Sequence, residues 1–78
     1  MESLFLLVET EVGATEDVAR RIRAVPHVVE VHGVTGPYDL IVKIEAPHIN
    51  TALDVVVNKV RKIPGIKGTE TLVAMGRP

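Results

Sequence analysis

The sequence predicts an α+β fold, a ferredoxin-like βαββαβ sandwich in which a four-stranded antiparallel sheet carries two helices on one face. Three observations predict it. Four short runs rich in Val, Ile and Leu read as strands, and two longer stretches place apolar residues at helical spacing. Gly and Pro fall between these runs as breakers. The chain also repeats itself: Ile22-Arg23-Ala24-Val25-Pro26-His27-Val28 matches Val60-Arg61-Lys62-Ile63-Pro64-Gly65-Ile66, so each half is one βαβ unit.

Each element has its own cause. Ser3 to Val12 is an apolar run ending in Glu9, Thr10 and Glu11, and it reads as a strand that Gly13 breaks. Thr15 suits a helix N-cap, with Glu16 and Asp17 in the first turn where acids complement the dipole. Val18, Ile22 and Val25 form one helical stripe; Arg20, Arg21 and Arg23 lie toward the C-terminal end, and Pro26 stops the helix. His27 to Val34 is a second strand supplied with β-branched Val28, Val29 and Val31. The Gly36-Pro37 turn precedes a third strand, Tyr38 to Glu45, with Leu40, Val42 and Ile44 on one face and Ile41, Lys43 and Glu45 on the other. After the Ala46-Pro47-His48 loop, Ile49 to Ile63 reads as a helix with the stripe Ile49, Ala52, Leu53, Val56, Val60 and Ile63, capped by Asn50 or Thr51. Pro64-Gly65 ends it, Ile66 to Met75 is the fourth strand, and Gly76-Arg77-Pro78 is a tail.

The chain has 78 residues and reads as one domain, 1–78, with no linker and no helix-turn-helix. A chain this short buries only about 60–65% of the surface its unfolded form exposes. Its hydrophobic fraction is 46%, yet Phe5 and Tyr38 are its only aromatics, so the core is built from Val, Ile, Leu and Ala. Helices cover one face of the sheet; Phe5, Leu7, Ile41 and Val73 are expected on the other, packed on a second copy in a dimeric α–β barrel-like assembly.

Composition also excludes chemistry. There is no cysteine, hence no disulfide and no thiolate metal site. The net charge of −1 gives no general attraction to phosphate backbones or anionic membranes. Met1-Glu2-Ser3 lacks a basic leader, and Leu4 to Val8 is too short to span a bilayer, so a cytoplasmic location is expected. His27, His32 and His48 lack metal-ligand spacing, the six glycines form no phosphate loop, and no nucleophile has a neighbouring base. The basic run Lys59, Arg61, Lys62 and Lys67 has no aromatic partners for stacking nucleobases and reads as complementing the second helix dipole. No catalytic residue, metal or cofactor is expected. The remaining feature is the turn into the third strand, where a phenol and a carboxylate, Tyr38 and Asp39, sit at the strand's mouth. Threonines Thr69 and Thr71 alternate on the last strand and have the alternative, ordinary role of strand formers.

With this order and turn, the chain resembles the effector-binding (RAM) domain of the Lrp/AsnC transcription regulators. The shared pattern is Val31-x-x-Val34-x-Gly36-x-Tyr38-Asp39-Leu40-Ile41-Val42, followed by Ile63-Pro64-Gly65-Ile66 and Thr69-x-Thr71-x-Val73, with Val25-Pro26-x-Val28 in the first half. It covers about Leu4 to Met75. Those regulators carry a helix-turn-helix ahead of this domain, whereas this chain begins at the first strand; the expectation is a stand-alone version without direct nucleic-acid contact. The resemblance implies a non-enzymatic amino-acid-binding regulatory module linked to transcription or amino-acid metabolism. It implies dimers and higher rings such as octamers, a free amino acid or similar small effector held at a subunit boundary, and full-length Lrp/AsnC regulators as partners. It implies effector contacts from Gly36, Pro37, Tyr38 and Asp39, with Thr69 and Thr71 from the last strand. The rival expectations are a structural oligomerisation or partner-binding module, and a small dimeric enzyme such as an isomerase.

Overall fold

A computed structural model describes residues 1–76; Arg77 and Pro78 of the tail lie outside the described residues. The chain runs β1 (Glu2–Thr10), α1 (Thr15–Arg23), β2 (Val28–Gly33), β3 (Leu40–Ala46), α2 (Ile49–Asn58), a 3₁₀ turn (Val60–Lys62) and β4 (Ile66–Val73). The sheet is antiparallel in the order β2-β3-β1-β4, so β1 and β3 are central and β2 and β4 are edges. This is the ferredoxin-like sandwich the sequence predicts.

The two-residue period decides which face each strand buries. Leu4, Leu6 and Val8 of β1 and Leu40, Val42, Ile44 and Ala46 of β3 are buried beneath the helices. They meet Val18, Ala19 and Ile22 of α1, and Ala52, Val55 and Val56 of α2, in one aliphatic core. Phe5, Leu7 and Ile41 fall on the open face and stay half-buried by their sheet neighbours. Val73 does not join them. It pairs with Leu4, a core-facing residue, so β4 presents Leu72 opposite Phe5 instead. Partners directly across an antiparallel ladder share a face, and the register that fixes this is tertiary.

Boundaries shift where side chains find other partners. Ala14, not Thr15, is the N-cap residue of α1; the Thr15 hydroxyl turns to Thr10 instead, 2.6 Å away. Neither Asn50 nor Thr51 caps α2. His48 does so with extended backbone, and its carbonyl accepts the Thr51 and Ala52 amides. The second helix ends at Asn58 because Lys59 (φ −118°) leaves the helical path; the chain tightens into the 3₁₀ turn that buries Val60, and Ile63, preceding Pro64, is extended. β1 stops at Thr10, two residues short of Val12, which is fully exposed. β4 stops at Val73, and Val25 lies past the end of α1.

The internal repeat is also a backbone repeat. His27 and Gly65 are equivalent in the two halves, and both take the left-handed conformation, at φ 75° and 97°. Each turns the chain out of a helix end and into a strand. A β-bulge between Val28 and Glu30 leaves Val29 unpaired in β2.

Candidate functional site

The β2–β3 loop, which carries the predicted Gly36, Pro37, Tyr38 and Asp39, is anchored at its base. The Val34 amide donates to the Asp39 carbonyl (3.0 Å), closing the loop, and the Asp39 amide donates to the Val8 carbonyl (2.9 Å), fastening it to β1. At the tip Gly36 takes φ 110°, a conformation that a side chain would strain, and Gly36 and Pro37 are exposed. β3 starts at Leu40 rather than Tyr38, because the backbone bends at Asp39; the Tyr38 and Asp39 side chains tie down the loop.

The two do so in different directions. Oδ2 of Asp39 accepts the Thr10 amide (2.8 Å) and the Thr10 hydroxyl (3.2 Å). Thr10 points to the core side and is 8% exposed, the one buried polar residue among the described residues. Its hydroxyl also meets that of Thr15, so β1, the loop and the start of α1 are joined through one oxygen. Tyr38 reaches the other way. Its hydroxyl donates to Oε1 of Glu70 on β4, 2.5 Å away. Glu70 pairs with Leu7, so this contact lies on the open face. The Glu70 carboxylate holds the Tyr38 hydroxyl above the ordinary phenol range, and partial burial and the charges of Glu70 and Glu9 push the same way.

Two concavities flank these groups. An open cleft of about 680 Å³ lies between the loop and the start of α1, lined by Thr15, Gly33, Val34, Thr35 and Asp39. Asp39 gives it a carboxylate, whose Oδ1 accepts no hydrogen bond among the described residues, and the threonines give it hydroxyls. The second is a groove of about 530 Å³ between α2 and β4 that holds Thr69 and Thr71 beside Leu53, Val57, Arg61 and Lys67. Arg61 makes no ion pair among the described residues, and Lys67 has only Glu9, at 3.9 Å. The clefts share no lining residue. The sequence-predicted residues are thus split: Asp39 lines the first, Thr69 and Thr71 line the second, and Tyr38 lines neither.

The sequence assigned Thr10, Thr15 and Arg61 only ordinary places at a strand end, a helix cap and a helix dipole, and it singled out neither Thr35 nor Glu70. Thr10 and Glu70 reach the loop only through pairing of distant strands, and none of the five has a distinctive local spacing. The open face carries a polar chain of its own: His32 with Glu30 (2.9 Å), Glu30 with Lys43 (3.9 Å) and Lys43 with Glu45 (3.3 Å), with Lys43 above the Phe5 ring. The hydrogen bond from His32 holds the Glu30 carboxyl below its ordinary range. Among the described residues no three His, Asp or Glu side chains converge as metal ligands, and no helix is long and apolar enough to cross a membrane.

The family model for the Lrp/AsnC ligand binding domain matches residues 3–78. The HTH-type transcriptional regulator FL11 of Pyrococcus horikoshii is 35% identical over 74 residues, covering 91% of this chain and 46% of that protein. This chain therefore spans about half the length of such curated relatives. The crystal structure of FFRP-DM1 superposes with a TM-score of 0.90 at 36% identity, covering 96% of this chain and 100% of that one. A homocitrate synthase of Sulfurisphaera tokodaii is 34% identical over 61 residues, 78% of this chain and 13% of that enzyme. The Neisseria meningitidis regulator NMB0573, solved as an L-Met complex, shares the fold at 19% identity, with a TM-score of 0.84, covering 96% of this chain and 50% of that one.

Proposed function

This chain belongs to the Lrp/AsnC ligand-binding-domain family, and from that premise we propose that it is a regulatory module that binds a free amino acid at a boundary between copies of itself. The observation that carries this reading is the separation of the two clefts. An α-amino acid needs an anion for its ammonium and donors for its carboxylate. The loop cleft offers the Asp39 carboxylate with the Thr15 and Thr35 hydroxyls. The cationic donors, Arg61 and Lys67, stand with Thr69 and Thr71 in the other groove. Within one chain neither cleft sets the carboxylate opposite a cation, whereas the loop cleft of one copy set against the groove of another does.

A thermal-shift screen of the standard amino acids at millimolar concentration, L-methionine among them because a protein of this fold is solved with it, tests the reading. A ligand of the folded state at 100 times its Kd stabilises by about 2.7 kcal/mol. The expected result is an upward shift for one or a few amino acids, lost in Arg61→Ala. A flat screen across all of them on folded protein rejects amino-acid sensing and leaves a structural or partner-binding module.

Self-association is the second half of the proposal. The open face carries Phe5, Leu7, Ile41 and Leu72 in one patch, with Leu72 45% exposed, and a sheet face of this kind suits a second copy. Leu7→Lys places a charge at its centre without touching the core. We expect light scattering to show the wild-type chain as a dimer or larger ring and the variant as a monomer at the same concentration; a monomeric wild type rejects the assembly.

The match to a segment of homocitrate synthase favours one further reading of the same module, in which the effector signal passes to an enzyme rather than to a DNA-bound regulator. Co-purification with tagged full-length regulators distinguishes the two: a mixed oligomer supports the transcriptional partner, and consistent failure to recover one rejects it.

A further inference from the structure

We infer that the Tyr38-Asp39 pair is a positioning clamp which straddles the end of β1, and that Glu70 and Thr10, one on each face of the sheet, are the positioning residues that receive it. The chain bends at Asp39, ahead of the regular alternation of β3, and the two side chains part to opposite faces of the sheet. Asp39 reaches to the core side and binds the Thr10 amide and hydroxyl. Tyr38, one residue earlier, passes over the open face to Glu70 on the far strand. β1 lies between them, because the sheet order places it between β3 and β4. The loop is thereby gripped from both faces next to its own closing bonds, Val34 to Asp39 and Asp39 to Val8. One face alone would leave a hinge about β1; two opposed contacts remove it.

The clamp changes what the Tyr-Asp pair is for. Tyr38 holds no part of either cleft and serves the effector loop only through Glu70, and Asp39 offers the cleft the one oxygen that Thr10 leaves over. The inference rests on the effector-binding reading for its purpose, though not for its geometry. A flat amino-acid screen therefore sinks that reading and leaves the clamp standing.

The chain has a single tyrosine and no tryptophan, so the ultraviolet titration of its phenol reports Tyr38 alone. With the phenol held above its ordinary value in the folded state, the contact's stabilisation is full below the unfolded value near 10 and is lost as pH rises through the folded one. In the intact chain we expect a midpoint above that of a free tyrosine peptide, falling toward the peptide value in Glu70→Ala. The Val34 and Asp39 amides, which close the loop, should exchange with deuterium at least fivefold faster in Glu70→Ala and in Tyr38→Phe, with Leu6 in β1 unchanged. Glu70→Gln keeps an acceptor for the hydroxyl and should restore slow exchange. A phenol midpoint that Glu70→Ala leaves in place overturns the clamp. So does loop exchange equal to wild type in both variants.

Discussion

Gly65→Ala is expected to be among the most damaging single substitutions in this chain. A Cβ at position 65 would lie 3.0 Å from both the Ala14 Cβ and the Val18 Cγ2, at the point where the second half of the repeat packs on the start of α1. Val18 is fully buried in the core and has no room to yield. The backbone there is left-handed at φ 97°, which adds its own cost to any side chain. Overpacking of about 1–3 kcal/mol and about 1–2 kcal/mol for the left-handed conformation together predict a loss of about 2–5 kcal/mol. Domains hold only about 5–15 kcal/mol in all. Chemical denaturation measures it directly. The matched comparison is His27→Gly, the equivalent position in the other half, where the backbone is left-handed as well and the change measures what a side chain costs in that conformation. If Gly65→Ala costs no more than that conformational term, the close approach to Ala14 and Val18 contributes nothing and the argument fails.

The second large effect separates two roles of one residue. Asp39→Ala removes the acceptor for both the amide and the hydroxyl of Thr10, a residue only 8% exposed. Hydrogen bonds to a charged acceptor contribute about 1.5–3 kcal/mol, and a donor buried without a partner costs a similar amount. For a domain of this size, each kcal/mol lowers Tm by about 4–8 °C, so a fall of about 10 °C or more is expected. Asp39→Asn keeps an amide oxygen where Oδ2 stands and should lie within about 1 kcal/mol of wild type. It removes the negative charge that would face a ligand ammonium. The expected pattern is a near-normal Tm for Asp39→Asn with no ligand-induced shift, against a broad loss of stability for Asp39→Ala. An Asn variant that still responds fully to the amino acid would show that Asp39 shapes the loop and does not contact the ligand.

That dual role shows why the site was only partly legible in the sequence. Gly36-Pro37-Tyr38-Asp39 stands out because turn chemistry is local, and the resemblance to effector-binding domains singles out the same residues. What Tyr38 and Asp39 touch is set by β1 and β4, whose residues lie far away along the chain. Thr10 and Glu70 look like an ordinary strand end and an ordinary surface acid until strand pairing brings them to the loop. Thr69 and Thr71, placed beside Asp39 by the resemblance, line a separate groove under α2 within the single chain.

By itself the sequence determined the βαββαβ order, the buried faces of β1 and β3, the inward face of each helix though not its end, and the equivalence of the two halves. Those features follow from local periodicity, and the period of a strand or helix is a property of its own residues. The repeat extends even to the left-handed backbone shared by His27 and Gly65, since each follows a proline at a helix end. Tertiary structure alone decided the ladder register, which moved Val73 to the core side and put Leu72 on the open face. It also drew the Thr15 hydroxyl away from capping α1 and turned the Tyr-Asp pair into a grip around β1. Register, close approach and hydrogen bonding between distant strands depend on where two segments meet, and neither segment carries that information alone.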